Sequence, residues 1–169
     1  MGEPVSLADA QQLANDDKFQ FQWWALGLVG ARPVEEKKGA DKGVDGKILF
    51  RETPKDPKSQ QIIFSVKGGG VSVKDIRDLR GTVEREKALI GVLVTMKKPT
   101  KDMLSEAASA GFYESTVWQK QYPKLQIHTV AELLDGKQVQ RPPTRALDET
   151  FKNAPKAQKK GDEQLELLQ

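Results

Sequence analysis

The residues best placed to do chemistry are an aspartate and a lysine that flank two neighbouring apolar runs. Asp45 comes shortly before Ile48-Leu49-Phe50, and Lys67 follows the run that begins at Ile62. A polar segment with two prolines separates the runs, so we expect them to pair as a β-hairpin. The acid at the start of one strand and the lysine at the end of the next would then face each other, which suits a metal-dependent phosphodiester site.

Phosphodiester hydrolysis requires an activated water, neutralisation of charge on the phosphate and departure of the leaving group. A divalent cation held by one or two carboxylates and a main-chain carbonyl contributes to all three. Asp45 is the first candidate ligand, and the main-chain carbonyl of Val66 is the second. Lys67 would orient the water or stabilise the developing negative charge.

Ser65 interrupts this pattern, because a full site has Glu, Asp or sometimes Gln at that position. A serine hydroxyl is neutral and a poorer metal ligand, so metal affinity should fall unless another acid helps. The sequence does not choose among the candidate acids, which are Asp41, Glu35, Glu36 and Glu84. Asp-Gly pairs and Ser-x-Lys segments are both common, so an ordinary turn without chemistry is the competing interpretation.

Composition limits the classes of protein to which the chain can belong. Its 169 residues predict one domain over 1–140 and a weakly structured tail over 141–169. The absence of cysteine excludes disulfides and thiol catalysis, and His128 is the only histidine, which argues against His-rich metal sites. No apolar run approaches the roughly 18–20 residues that span a bilayer, and no signal-peptide pattern is present, so we expect a cytoplasmic protein.

The first 30 residues predict helix. Ser6 is a candidate N-cap, and the helical pattern extends over residues 7–29, with a break into two pieces at 15–17 as an open alternative. The aromatic side chains of this region are interpreted as core anchors rather than as a platform for stacking bases. They are Phe19, Phe21, Trp23 and Trp24. After a turn at 30–33, residues 35–39 are expected to form a solvated loop or a short edge strand.

The rest of the chain alternates between strand and helix. We expect the hairpin strands at 46–51 and Gln60–Lys67, an amphipathic helix after Ser72, a buried strand at 89–95, a helix from Thr100 to Gly111, a loop at 113–122, a strand at 125–130 and a short helix at 130–134. This order predicts an α/β protein with a mixed central sheet flanked by helices.

The helix after Ser72 carries cations on its polar side, including Lys74, Arg77 and Arg80. A solvated face with ion pairs is one interpretation, and contact with a phosphate backbone is the other. Lys42 is a further candidate for contact with DNA. The net charge of +3 is only a weak indication of a polyanionic partner.

Several motifs occur together in a recognisable order. They are Gly-x-Asp-x-Gly-Val-Asp-Gly at 39–46, Ser-Val-Lys-Gly-Gly at 65–69, Ile-Arg-Asp-Leu-Arg-Gly at 76–81 and Ile-Gly-Val-Leu-Val-Thr at 90–95. Over residues 19–136 the chain resembles the Mrr-like branch of the PD-(D/E)xK restriction-endonuclease-like superfamily. It also resembles the nuclease-like module attached to some bacterial site-specific DNA methyltransferases.

This resemblance implies a restriction-endonuclease-like core and assigns roles to particular residues. Asp45 corresponds to the metal ligand, Ser65 to the acid or amide position, which is usually glutamine in the Mrr-like branch, and Lys67 to the conserved lysine of the motif. Mg²⁺ or Mn²⁺ would be the cofactor. Gln22 lies in the region from which some members supply an acid, and it and Asp41 are candidate helpers.

Three functions follow from these observations. The first is a Mg²⁺-dependent endonuclease domain of a restriction-modification or defence system that hydrolyses double-stranded DNA, for which a homodimer is expected because double-strand cutting needs two sites. The second is an impaired nuclease-fold module that binds DNA or a methyltransferase without cutting. The third is a small assembly domain whose tail at 165–168 docks a partner.

Overall fold

The computed structural model of the chain describes residues 3–34, 43–56 and 58–143. A five-stranded sheet of order β1-β2-β3-β4-β7 forms its centre, and β5 and β6 form a separate hairpin. In chain order the elements are α1 (Leu7–Asp16), α2 (Lys18–Leu28), β1 (Arg32–Pro33), β2 (Gly46–Phe50), β3 (Gln60–Lys67), α3 (Val73–Glu86), β4 (Ile90–Thr95), α4 (Lys101–Ser109), β5 (Phe112–Ser115), β6 (Lys120–Pro123), β7 (Leu125–Thr129) and α5 (Val130–Leu134). The predicted α/β architecture with a mixed central sheet is confirmed.

The directions of the strands bring particular ends together. β1, β2 and β3 pair antiparallel, whereas β3, β4 and β7 pair parallel. Gly46 at the start of β2 is opposite Phe64, and Lys67 at the end of β3 is opposite Thr95 at the end of β4. The start of β2 and the carboxyl ends of β3, β4 and β7 therefore lie along one edge of the sheet, which we call the carboxyl edge.

Alternating side chains of β3 build two hydrophobic cores. Ile62, Phe64 and Val66 contribute to the core that includes residues of α1, α2 and α5. Ile63 contributes to the second core, with α3 and α4. All six residues of β4 are buried, which agrees with the continuous apolar run that predicted a central strand.

Asp17 divides the N-terminal helical region into two helices. Its main-chain N–H donates to the Leu13 carbonyl at 2.8 Å, and its side chain accepts from the N–H groups of Phe19 and Gln20, both at 3.1 Å. One residue thus ends α1 and caps α2. The predicted break at 15–17 is confirmed.

The prediction of four aromatic core anchors is wrong for two of them. Phe21 is 2% exposed, and the Trp24 ring packs 6.1 Å from it, whereas Phe19 is 62% and Trp23 55% exposed. Successive residues are separated by about 100° around a helix, so side chains at 19 and 23 share one face while the side chain at 21 points to the opposite one. The four rings cannot all enter one core.

Three strands, β1, β5 and β6, were not expected where they occur. The predicted loop at 113–122 is instead the β5–β6 hairpin, in which Tyr113 pairs with Tyr122 and Gln119 has a φ of 49° in the turn. Residues Arg32–Pro33, predicted as a turn, form a short edge strand beside β2. Both predictions failed because these strands are short and largely exposed, so they lack the apolar alternation that marks a strand. The expected loop or edge strand at 35–39 lies outside the described residues.

A buried carboxylate fastens the β5–β6 hairpin to the segment after β2. Glu52 is only 8% exposed and accepts hydrogen bonds from the Tyr113 hydroxyl and, at 2.8 Å, from the Ser115 hydroxyl. The Ser115 oxygen in turn accepts from the Trp118 N–H at 3.2 Å. Burial, and then the hydrogen bond to Glu52, raise the pKa of Tyr113 well above its usual value. This group of residues is called the Glu52 clasp.

Gln126 and His128 connect β7 to the segment that follows α5. The Gln126 side-chain amide donates to the carbonyls of Pro123 at 3.1 Å and Gln140 at 2.7 Å, which leaves its oxygen to accept from the Gln140 N–H and from His128 Nε2, both at 3.0 Å. His128 Nδ1 is buried and has no hydrogen-bond partner among the described residues. Burial, and then the positive charge of Lys137, lower the pKa of His128, and Glu132 opposes them.

Among the helices in the described part of the chain, none is both long and apolar enough to cross a bilayer. The division into a domain at 1–140 and a tail at 141–169 stays a prediction, because residues 144–169, including the apolar segment 165–168, lie outside the described residues.

Replacing Tyr113 with phenylalanine should weaken the Glu52 clasp. The change removes a donor to a buried carboxylate, so we expect the free energy of unfolding to fall by about 1.5–3 kcal/mol. Urea denaturation would measure this loss. Glu114→Gln, an exposed change on the same strand, serves as the control and should be nearly neutral; equal stabilities of Tyr113→Phe and the parent would contradict the role of the clasp.

His128 should make stability depend on pH. An unfolded histidine binds a proton as the pH falls below about 6.5, whereas the folded His128 resists protonation, so its contribution to stability is complete above that pH and lost below it. The difference in unfolding free energy between the parent and His128→Leu should therefore shrink as the pH is lowered from 7.5 to 5. A difference that is constant across this range would refute the prediction.

Candidate functional site

Asp45 is fixed to the end of β3 by both its main chain and its side chain. Its N–H donates to the Phe64 carbonyl at 2.8 Å, and its carbonyl accepts from the Val34 N–H at 3.0 Å. Its carboxylate oxygen Oδ2 accepts from the Val66 N–H at 2.7 Å. The carboxylate thus extends the pairing between β2 and β3 by one further hydrogen bond.

Ser65 and Lys67 lie beside this aspartate at the carboxyl edge. Side chains alternate along a strand, so both point away from the core that receives Phe64 and Val66. Ser65 is 7% exposed, whereas Lys67 is exposed. The structure therefore brings Asp45, Ser65 and Lys67 to one edge of the sheet, as the predicted hairpin requires; their catalytic roles stay predictions.

The main chain of Val66 faces the same side of β3 as Asp45. In an extended strand the N–H and C=O of one residue point toward the same neighbouring strand. Since the Val66 N–H points to Asp45, its carbonyl also lies on that side, just beyond the last β2–β3 pair, Gly46 and Phe64. This is the direction in which the carbonyl was predicted to bind a metal ion.

Helix α2 lies close against both strands of the hairpin. A Cβ added at Gly46 would be 2.5 Å from a methyl carbon of Leu26, and one at Gly68 would be 3.2 Å from the Phe21 ring. Gln22 is half-buried and lies one turn before Leu26, on the same face of the helix. Its predicted role as a helper is therefore compatible with the position of α2.

The candidates for a second carboxylate do not gather at this edge in the described residues. Glu84 lines a small cavity with Lys124 and Leu125, at the start of β7 and hence at the opposite edge from Lys67. The other candidate acids lie outside the described residues, and so does Lys42. These acids are Glu35, Glu36 and Asp41.

Of the candidate acids that the structure describes, only Asp45 lies at the carboxyl edge. Mg²⁺ demands near-octahedral oxygen coordination and is usually held by one or two carboxylates. Asp45 is the sole carboxylate of the predicted triad, its Oδ2 is engaged by the Val66 N–H, and Ser65 supplies no charge. No group of three or more potential metal-binding side chains occurs within 3–34, 43–56 and 58–143.

The cations of α3 are engaged in contacts on the protein surface. Lys74 pairs with Asp78 at 3.0 Å, and Arg77 reaches Glu106 on α4 at 3.2 Å. Arg80 donates to the hydroxyl of Ser109, which is also on α4, at 3.0 Å. Exposed ion pairs contribute little to stability, so these contacts leave DNA binding by the three residues as a prediction.

A second group of cations, overlooked in the sequence, lies at the carboxyl edge itself. Lys97, Lys98 and Lys101 are exposed and follow directly after β4, whose end is opposite Lys67. The signal in the sequence was the segment Met-Lys-Lys-Pro-Thr-Lys at 96–101, which joins the buried strand to the next helix. Positions after parallel strands meet at one edge, so this segment could have been recognised.

A family model described as "NACHT-associated inactive Restriction Endonuclease 1" matches residues 19–135. The chain belongs to this family. The match to the NACHT-associated inactive restriction endonuclease family starts in α2 and ends just after α5, so it includes every strand of the central sheet.

The restriction-endonuclease-like fold is also found in a solved structure, that of the MspJI restriction endonuclease in complex with a 27-mer oligonucleotide. The TM-score is 0.54 at 17% sequence identity, and the alignment covers 76% of this chain and 29% of the MspJI chain. No curated protein matches the chain significantly. The predicted restriction-endonuclease-like core is thereby confirmed, whereas the Mrr-like branch stays a prediction.

Removing the Asp45 carboxylate should destabilise the fold even without metal. Asp45→Ala leaves the Val66 N–H without its acceptor, so we expect the free energy of unfolding to fall by about 1–3 kcal/mol. Asp45→Asn keeps an acceptor oxygen and should lose less. Urea denaturation in EDTA would measure both, and a parent-like stability of Asp45→Ala would show that the carboxylate does not hold the strand end.

Proposed function

We propose that this chain is a nuclease-fold module that binds duplex DNA without cutting it. The proposal is based on the described residues of the carboxyl edge, where the Asp45 carboxylate bonds to the Val66 N–H and the neutral Ser65 stands at the acid or amide position of the motif. Metal-assisted hydrolysis needs enough negative charge to hold a divalent cation. Binding to a phosphate backbone needs only cations.

The same edge keeps the group that attracts phosphate. Lys67 is exposed at the end of β3, beside Asp45 and Ser65 in the sheet. A lysine there can neutralise a phosphate of a bound strand whether or not a metal ion is present. Loss of hydrolysis and retention of binding are therefore compatible in one site.

The similar proteins support this assignment. The family description contains the word "inactive", and the MspJI structure contains an oligonucleotide. The description also names association with NACHT, so we propose that the module supplies DNA recognition to a NACHT-containing defence protein. A DNA methyltransferase is the other predicted partner. If the chain belongs to the Mrr-like branch, the module would supply DNA recognition to a methyltransferase instead of to a NACHT-containing protein.

A Mg²⁺- or Mn²⁺-dependent endonuclease is the second candidate, and a specific arrangement favours it. Asp45, the Val66 carbonyl and Lys67 share one edge, and Gln22 lies on the α2 face that approaches it. Asp41, four residues before Asp45, would have to supply the missing carboxylate. This function would also call for the predicted homodimer.

Plasmid nicking separates the two candidates. With Mg²⁺ or Mn²⁺, the parent should convert supercoiled plasmid no faster than a protein-free sample, because the described residues of the edge supply no second carboxylate beside Asp45. Asp45→Ala and Lys67→Ala should behave identically to the parent. Metal-dependent cutting that both substitutions abolish would establish the endonuclease and overturn the proposal.

Titration calorimetry gives an independent measure of the same point. The parent should show no heat of Mg²⁺ binding. Ser65→Glu places a second carboxylate beside Asp45 and should bind Mg²⁺. Cooperative melting of this variant would show that it is folded. Ser65→Ala is the matched control, since it changes the same buried position without adding charge. A binding isotherm for the parent would contradict the interpretation of Ser65.

A further inference from the structure

We infer that duplex DNA lies across a basic ledge at the carboxyl edge, formed by four lysines and two glycines, and that this ledge contacts the sugar-phosphate backbone. The ledge consists of Lys67, Gly69, Gly70, Lys97, Lys98 and Lys101. The inference rests on the DNA-binding function proposed above and names the residues that carry it.

Parallel pairing of β3 and β4 brings Lys67 close to the lysines that follow β4. Lys67 is opposite Thr95, and the Met96 N–H donates to the Lys67 carbonyl at 3.1 Å. Neighbouring strands are separated by about 4.8 Å, and Lys97 and Lys98 follow within three residues of Thr95, so the three lysine Cα atoms fall within roughly 10–15 Å. Lys101 then begins α4.

The segment that carries Lys97 and Lys98 is held at both ends. The buried Thr95 hydroxyl donates to the Lys97 carbonyl at 2.7 Å, and the Met96 side chain belongs to the hydrophobic core. The Thr100 hydroxyl accepts from the Met103 N–H at 3.2 Å and caps α4. A supported segment has less backbone entropy to lose when it binds.

The lysines of the ledge are available for a ligand. None of Lys67, Lys97, Lys98 and Lys101 takes part in an ion pair or side-chain hydrogen bond with another described residue. Lys74 and Arg77 on α3, by contrast, would first have to release Asp78 and Glu106. Residues 96–101 contain no acid, and Asp102 is the first carboxylate after them.

The two glycines provide a second, independent indication. A Cβ at Gly69 or Gly70 would meet nothing within 4 Å, and neither residue has a backbone in the left-handed region. At Gly68, by contrast, a Cβ would lie 3.1 Å from the Ala14 Cβ. Packing explains the glycine at 68 but not those at 69 and 70, where a missing side chain leaves the exposed main chain open to close approach by a phosphate.

The spacing of charge favours duplex DNA as the occupant. DNA carries about one negative charge per 1.7 Å of helix axis, so a ledge of roughly 10–15 Å faces several phosphates at once. Its lysines can each displace a condensed counterion, which makes the affinity strongly dependent on salt.

Fluorescence anisotropy with a labelled duplex, measured over a salt series, tests the ledge. Lys97→Gln/Lys98→Gln should lower the affinity at low salt on the order of tenfold and reduce the slope of log K against log salt by about 2, since each phosphate contact contributes about 0.9. Lys55→Gln/Lys58→Gln removes the same charge from the exposed turn between β2 and β3, at the opposite edge, and should keep the parent slope.

The glycines are tested with a matched pair of variants. Gly69→Ala/Gly70→Ala should leave the melting temperature unchanged or higher, since the added Cβ atoms meet open space, and should weaken DNA binding several-fold. Gly81→Ala, at an exposed position of α3 with similar space, should not weaken it.

The outcomes distinguish the ledge from the proposed function. A parent protein that binds no duplex DNA overturns both. If the parent binds duplex DNA, the two double variants decide where. A salt slope reduced by Lys74→Gln/Arg77→Gln but not by Lys97→Gln/Lys98→Gln would overturn the ledge alone and would place the DNA contact on α3. Preference for single-stranded RNA over duplex DNA overturns the assignment of the occupant.

Discussion

The hydrogen bond between the Asp45 carboxylate and the Val66 N–H fixes the position of Asp45 at the carboxyl edge. It joins the start of β2 to the end of β3 where regular pairing stops, and it uses one oxygen of the sole carboxylate in the predicted triad. Among the described residues of the triad, Ser65 adds no charge beside this carboxylate, while Lys67 faces solvent.

Two sets of cations on the same protein differ in what surrounds them. Those of α3 are positioned by acids and hydroxyls of α3 and α4, so they contribute to the surface that joins the two helices. Those after β4 are positioned by their backbone, through Thr95 and Met96, and their side chains are left to solvent. The two sets therefore carry the same kind of charge but differ in their contacts with the rest of the protein.

The sequence predicted the parts of the fold that depend on local patterns. The apolar runs of β2, β3 and β4, the break at 15–17 and the helix starts after Ser72 and Thr100 depend on a few neighbouring residues, so their positions could be predicted. Features that depend on distant residues could not. The pairing of Arg77 with Glu106, 29 positions apart, and the contact of Glu52 with the β5–β6 hairpin arise only when the sheet is assembled. The meeting of Lys67 with the segment after β4 is different, because it follows from the parallel pairing of two strands that the sequence did predict.

The side chain of Gln126 attaches the last described residues to β7. Its side chain bonds to both the N–H and the carbonyl of Gln140, while β7 itself is paired along its length with the buried strand β4. Arg141 has a further contact and Pro142 is buried, so the chain is attached at more than one point as far as residue 142. Removing Gln140 would therefore leave the Gln126 amide without two of its hydrogen-bond partners beside the buried strand β4.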